Sequence, residues 1–397
     1  MQLKWVALLG IALAGAATWA GAQQKPQAPD PQRQPALSLE QQGRDPEAEA
    51  AWRAYLKAHP SSPEAYAHLG LIEARQQHYN EAVPLYRKAL AIGPSIPSVR
   101  LNLGLALFKG GQLKESIPEF TLLLKSQPDN QQLNTLIGMA YYGLAAYADA
   151  VPFLKQAAAH DAQSLPLRLA LAHSCLWSKQ YQCVLDVYSE ILNLNPDSAE
   201  ADMLAGEALD EMKDNEGSTK MFRAAVKADP KAPNAHFALG YLLWTQKKYK
   251  EAVSEFQAEL ANDPDHVQAR LYLADSYMQL NQMDDARPLL EKVERQNPAL
   301  PLVHLDLGIL YTEAGLSQDA LRELKAAEQM TPGDVNIHWR LGRLYHSLGK
   351  SDEAKAEFEK AGKLNKAADD ELFKKIANGH PRPPAQSQEP APTPPPQ

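Results

Sequence analysis

Apolar and small residues recur along this chain with a helical spacing that stops and restarts every 34 residues. From Pro63 to Ala368 the pattern runs through nine repeats with no insertion or deletion. Within a repeat, positions 3, 4, 7, 8 and 11 carry the apolar or small residues of the first half. In repeat 1 these are Ala65, Tyr66, Leu69 and Gly70, with Glu73 the exception. Positions 17, 20, 21, 24, 27 and 28 do the same in the second half, as Tyr79, Ala82, Val83, Tyr86, Ala89 and Leu90. Both sets are spaced to share one helix face, and no alternating strand pattern occurs. Each repeat therefore predicts two helices. Such a pair cannot bury its own apolar face, so neighbouring repeats must stack. The predicted fold class is all-α.

Small residues and prolines punctuate the pattern. Position 8 is Gly70, Gly104, Gly138, Ala172, Gly206, Gly240, Ala274, Gly308 and Gly342. Position 20 is Ala, Ser or, once, Val184. Two helices joined by a short turn approach closely only where side chains are small; a large residue at both places would cost about 1–3 kcal/mol. Pro84, Pro118, Pro152 and Pro288 share position 22. Because proline suits the first turn of a helix, the second helix is expected to begin just before that position. Asn80, Asp284 and Asp149 are its candidate N-caps. Proline at position 32, missing only at Ala162 and Lys366, is expected to end it.

The flanks differ. Residues 1–22 read as a signal peptide: Lys4, an apolar run from Trp5 to Trp19, and a small-residue cleavage site at Ala20-Gly21-Ala22. A retained membrane anchor is the alternative, but about 15 apolar residues fall short of the ~20 that a spanning helix needs. The mature protein is thus expected to be exported, periplasmic or secreted, and not inserted in a membrane. Residues 23–35 form a Pro/Gln-rich linker, and 36–62 a degenerate cap repeat whose second helix covers 45–59. A further capping helix is expected over 369–379. Residues 380–397 are Pro-rich and expected to be disordered.

Bulk composition changes little in this picture. The 397 residues are 45% hydrophobic and 22% charged, as in a globular protein. The formal net charge of −8, with no basic cluster, argues against nucleic acid as a partner.

This pattern resembles the tetratricopeptide repeat (TPR) family. The signature residues recur as Leu69-Gly70, Tyr79, Ala82, Tyr86, Ala89 and Pro94 in repeat 1, and as Leu239-Gly240, Tyr249, Ala252, Phe256 and Pro264 in repeat 6. The resemblance implies antiparallel helix pairs in an α-solenoid that forms a right-handed superhelix. It also implies that first helices line a concave groove for a peptide or protein. Positions 2, 5, 9, 12 and 13 would then face that groove. They supply Leu101, Leu105, Phe108, Met139, Tyr142, Leu169, His173, Leu176, Trp177, Phe237, Tyr241 and Trp244, with Glu207, Asp210 and Glu211 as an acidic interruption in repeat 5. An exposed aromatic stripe would bind protein, and the acidic trio would favour a Lys or Arg on the partner. Alternatively the same side chains pack between adjacent first helices. The family's carboxylate clamp is absent, because positions 5 and 9 hold Ala67, Leu71, Leu101 and Leu105.

Other chemistry is sparse. Cys175 and Cys183 lie in repeat 4 on opposite sides of the expected turn; they either form a disulfide or are two small buried residues. His236, His304 and His338 share position 4, but equivalent positions on neighbouring helices are roughly 8–10 Å apart, too far to share a metal. No metal site is expected. Glu259 is unusual at its small-residue position, and a Glu259–Arg270 salt bridge is expected. There is no phosphate loop, nucleophile elbow or cofactor motif. The expectation is a non-catalytic adaptor without cofactors that binds a protein or peptide. Its alternatives are a subunit of an envelope or secretion assembly, or a carrier of a small ligand or glycan.

Overall fold

A computed structural model describes residues 33–379, with side chains to residue 367. The expected leader, most of the linker, the Pro-rich tail and the side chains of the 369–379 segment lie outside the described residues. Every regular element described is a helix.

The chain divides into two compact bodies at the junction of repeats 5 and 6. The N-terminal body holds α1 (Arg33–Gln41), α2 (Asp45–Ala58), α3 (Pro63–Arg75), α4 (Tyr79–Ile92), α5 (Pro97–Lys109), α6 (Leu113–Ser126), α7 (Gln131–Gly143), α8 (Tyr147–His160), α9 (Leu165–Trp177), α10 (Tyr181–Leu194), α11 (Ala199–Glu211) and α12 (Asn215–Ala228). The C-terminal body holds α13 (Ala235–Thr245), α14 (Tyr249–Asn262), α15 (Val267–Gln279), α16 (Met283–Gln296), α17 (Pro301–Glu313), α18 (Ser317–Met330), α19 (Val335–Ser347) and α20 (Ser351–Gly379).

Each repeat is a helix hairpin, and its turn follows from one backbone device. Position 15 has positive φ in all nine repeats: Gln77, Gly111, Ala145, Lys179, Lys213, Lys247, Asn281, Gly315 and Gly349. The next amide reaches back five residues, as in Gln112 N to Leu107 O at 2.8 Å and Gln180 N to Cys175 O at 2.8 Å. The position-15 amide closes the inner bond, as in Gly111 N to Phe108 O at 3.2 Å. This pair of bonds satisfies the last carbonyls of the first helix. It also fixes the start of the second helix at position 17, earlier than the proline pattern predicts. Pro84, Pro118, Pro152 and Pro288 therefore lie one turn inside their helices. Each deprives the carbonyl at position 18 of an amide. Those residues, Asn80, Lys114, Ala148 and Asp284, are exposed, so water can take the acceptor. Asn80, Asp149 and Asp284 are correspondingly first-turn residues rather than N-caps.

Position 8 is small for a specific reason. A Cβ added to Gly104 would stand 2.5 Å from the Phe120 ring, and one added to Gly206 would stand 2.6 Å from Phe222. The position-24 side chain of the second helix lies flat on the first-helix backbone.

The ends depart from expectation. A short α1 precedes α2, with Pro35 in its first turn where proline is tolerated. No separate helix covers 369–379, because α20 runs unbroken to Gly379. With Lys366 in place of proline, nothing in repeat 9 removes an amide from the ladder.

Polar latches tie successive repeats. The position-4 side chain reaches the carbonyl of position 32 in the preceding repeat: Tyr66 to Pro60, Arg100 to Pro94, Arg270 to Pro264, His304 to Pro298 and His338 to Pro332. Proline ends the helix, so its carbonyl is free to accept. The expected Glu259–Arg270 bridge does not form. The buried Glu259 carboxylate instead accepts the Asn234 and Phe237 amides at 3.2 and 3.0 Å, capping α13. Arg270 turns to Pro264 and to Gln296 Oε1.

Candidate protein-binding surface

The residues expected to face a groove fall into three groups. Leu105, Phe108, Met139, Leu169 and Leu176 are buried within one apolar cluster that runs from repeat 2 to repeat 5. They are core and cannot meet a partner. First helices of successive repeats lie close enough that these side chains are consumed in stacking. Leu101, Tyr142, His173, Asp210, Phe237 and Trp244 are half-buried, while Glu207, Trp177 and Tyr241 are exposed.

In the N-terminal body the accessible group centres on Trp177, 64% exposed at the end of α9. It stacks on Tyr147, centroids 6.1 Å apart, and Tyr147 meets Tyr142 edge-on. His173 holds Glu200 at 2.9 Å, and Tyr181 donates to Glu211. Burial raises the Tyr142 hydroxyl above the ordinary tyrosine value. In the same repeat Cys175 and Cys183 are joined as a disulfide across the α9–α10 turn, with Cα atoms 5.8 Å apart.

In the C-terminal body the rings pack more densely. Tyr272 on α15 lies at the centre, with Tyr241 and Trp244 edge-on at 5.1 and 5.0 Å and Phe256 stacked at 6.0 Å. Phe237 adds a face against His266 at 4.7 Å. The Trp244 indole donates to the Asp275 carboxylate. This platform is supported from beneath by Phe256, which is fully buried. Desolvation raises the Tyr272 hydroxyl, as do its neighbours Tyr241 and Asp275. Asp306 is buried and its Oδ2 lacks a partner; burial, with the Asp275 charge adding, pushes its carboxyl up to about 8. The surface thus presents π faces and the accessible Asp275 carboxylate, while Asp306 lies buried.

Tyr272, Asp275 and Asp306 were not among the residues singled out from sequence. Asp275 occupies position 9, one of the groove positions, in a repeat with no aromatic there. Trp339 at position 5 of repeat 9 is 51% exposed and sits edge-on to Phe358. The position-4 histidines do not approach one another for ligation; each faces a glutamate at position 23 instead, with His236–Glu255, His304–Glu323 and His338–Glu357 at 2.6, 2.7 and 2.7 Å. Burial lowers the His304 ring, but Glu323 and the Pro298 carbonyl outweigh it and hold the group above the ordinary histidine value.

Two family models, both described as tetratricopeptide repeat, match residues 144–207, 243–307 and 311–375, and residues 36–97, 101–164 and 205–267. Small glutamine-rich tetratricopeptide repeat-containing protein 2 of Mycosarcoma maydis is 27% identical over 112 residues, or 28% of this chain. The match spans about a third of that relative's length (32%). Among solved structures, YrrB, described as a TPR protein with an unusual peptide-binding site, is 19% identical with a TM-score of 0.41, covering 45% of this chain and 91% of its own. The Naa15/Naa10 complex bound to HypK-THB contains a chain 15% identical with a TM-score of 0.47, covering 84% of this chain and 63% of that one. Between them the two family models take in the cap repeat and every one of the nine repeats, and the protein is a tetratricopeptide-repeat protein.

Proposed function

We propose that this chain is an exported, non-catalytic adaptor that binds a protein or peptide segment on the aromatic faces of its first helices. The observation that carries the reading is the platform of Phe237, Tyr241, Trp244 and Tyr272 beside Asp275. Rigid aromatic side chains with a polar rim are the usual energetic centre of a protein interface. The carboxylate edge favours a partner segment carrying Lys or Arg, whose cation would lie over the rings. Around Trp177, Glu207 and Asp210 supply the same sign of charge in the N-terminal body. The leader-like first 22 residues support export, and a Cys175–Cys183 disulfide suits an oxidising compartment.

The test is photo-crosslinking in cells from position 241, read by mass spectrometry. A discrete partner is expected, and Tyr241→Ala with Trp244→Ala should abolish its capture while circular dichroism stays unchanged. Unaltered capture by the double variant would remove the platform from the binding site. Export is read separately, by fractionation and by thiol alkylation of unreduced protein: Cys175 and Cys183 should resist labelling.

A further inference from the structure

We propose that Glu294, His304 and Glu323 bind one divalent transition-metal ion of the zinc class, which staples repeat 7 to repeat 8. One ligand atom from each of the three residues lies within 4.8 Å of the other two. Glu294 comes from α16 in repeat 7; His304 and Glu323 come from α17 and α18 in repeat 8, and both are buried.

The hydrogen bonding defines what is missing at the centre. His304 Nε2 lies 2.9 Å from the Pro298 carbonyl oxygen, which can only accept, so Nε2 carries the proton. In the neutral ring, Nδ1 then directs a lone pair at Glu323 Oε2, 2.7 Å away, which is also an acceptor. Two lone pairs at that distance need a cation between or beside them. A second proton would serve, and so would a metal. A ligating imidazole whose other N–H is held by a backbone carbonyl is the usual outer-shell arrangement of a metal site. One nitrogen and two carboxylates with an open position suit Zn²⁺ and its neighbours, not Ca²⁺ or Mg²⁺.

Sequence supplies an independent argument. Position 28 is apolar in the first six repeats, as Leu90, Leu124, Ala158, Leu192, Val226 and Leu260. It becomes Glu294 in repeat 7 and Glu328 in repeat 8. Each of these repeats is followed by a position-4 histidine, His304 or His338, that contacts the preceding proline carbonyl. Replacing an apolar residue by a carboxylate beside another carboxylate is unfavourable without a counter-cation. The second copy shows that compensation directly. Lys360 Nζ bridges Glu328 and Glu357 at 2.9 and 2.8 Å. The equivalent residue of the first copy is Ala326, which carries no charge to bridge Glu294 and Glu323. Arg322 reaches Glu323 Oε1 alone, at 2.8 Å, leaving Oε2 for a metal. The first copy is therefore the open one.

The test uses the full chain, stripped with chelator and titrated with Zn²⁺ by calorimetry, with Co²⁺ absorption as the spectroscopic report of an N/O site. One equivalent of Zn²⁺ is expected, together with a raised Tm. Glu294→Leu restores the residue type that six repeats carry, so it should fold and yet lose at least about tenfold in affinity. His304→Gln should lose the Co²⁺ spectrum. Lys360→Ala should open the second triad and add an equivalent. Absence of binding by the stripped chain, or binding that Glu294→Leu leaves intact, would overturn the proposal and leave a proton as the cation on Nδ1.

Discussion

The two bodies solve one problem with different chemistry. In the N-terminal body, one apolar cluster extends from Leu105 to Ala208 across four repeats, with smaller ones around Tyr86 and Trp52, and the charged residues buried in this body are few: Glu40, Arg168 and Asp202. In the C-terminal body the apolar material is split into smaller clusters around Leu290 and Leu324. The same body buries more charged and titratable groups: Glu259, Arg270, His304, Asp306, Glu323, His338 and Glu357. The backbone repeat is the same in both. Stacking therefore requires that each interface be satisfied, but not that it be apolar. A polar interface has consequences an apolar one lacks, because its strength depends on protonation and on ions.

The largest contrast should come from deleting an apolar anchor. Phe120 is fully buried against the Gly104 backbone, and Phe120→Ala should cost about 3–5 kcal/mol. Hydrogen exchange resolved by peptide should place that loss in the N-terminal body at every pH tested. A pH-independent loss of comparable size in the C-terminal body would erase the distinction.

Asp306 should show the opposite signature. Its carboxyl is raised from an ordinary value near 4 to about 8, so the folded state holds a proton that the unfolded chain releases. Stability is then greatest below about pH 4 and falls by about 1.4 kcal/mol per pH unit until about pH 8. At pH 6 the accumulated loss is on the order of 3 kcal/mol. Asp306→Asn should remove that slope and make the C-terminal body more stable than wild type at neutral pH. Urea unfolding at pH 5 and pH 7.5 measures this; parallel behaviour of the two proteins would refute the assignment.

Helix approach is a third point of attack, common to both bodies. Gly104→Ala places a methyl 2.5 Å from Phe120, and Gly342→Ala places one 2.7 Å from Phe358. Each should cost about 1–3 kcal/mol, and thermal melts of the two variants show whether the bodies yield equally. The smallest effect should be a gain. Ala145 holds a left-handed φ of 56°, which a Cβ disfavours. Ala145→Gly should stabilise by about 0.5–1 kcal/mol, read as a small rise in the urea midpoint.

How much of the site was legible follows from burial. The aromatic residues Phe237, Tyr241 and Trp244 were recognisable from their positions, and the structure leaves them half-buried or exposed. Leu105, Phe108, Met139 and Leu169 occupy equivalent positions, yet they are core. Position along a helix gives direction, but the spacing to the neighbouring helix decides exposure. Similarly, histidines at position 4 were visible as a column, whereas their partners at positions 23 and 28 come from other helices. Proline at position 22 misdirected the helix start, since a turn motif built from backbone bonds outweighed a local preference.

The sequence alone determined the period, the all-α class, the hairpin count and the small-residue contacts, because these depend on spacing within one or two turns of chain. Tertiary structure decided which groove residues are core, where Glu259 and Arg270 find partners, and that the buried Oδ2 of Asp306 lacks a hydrogen bond. The Glu259 contacts and the Arg270–Gln296 bond, for instance, join groups 22 to 26 residues apart in the chain. Only the packing of separate helices sets such distances, and with them the dielectric that gives a buried charge its consequence.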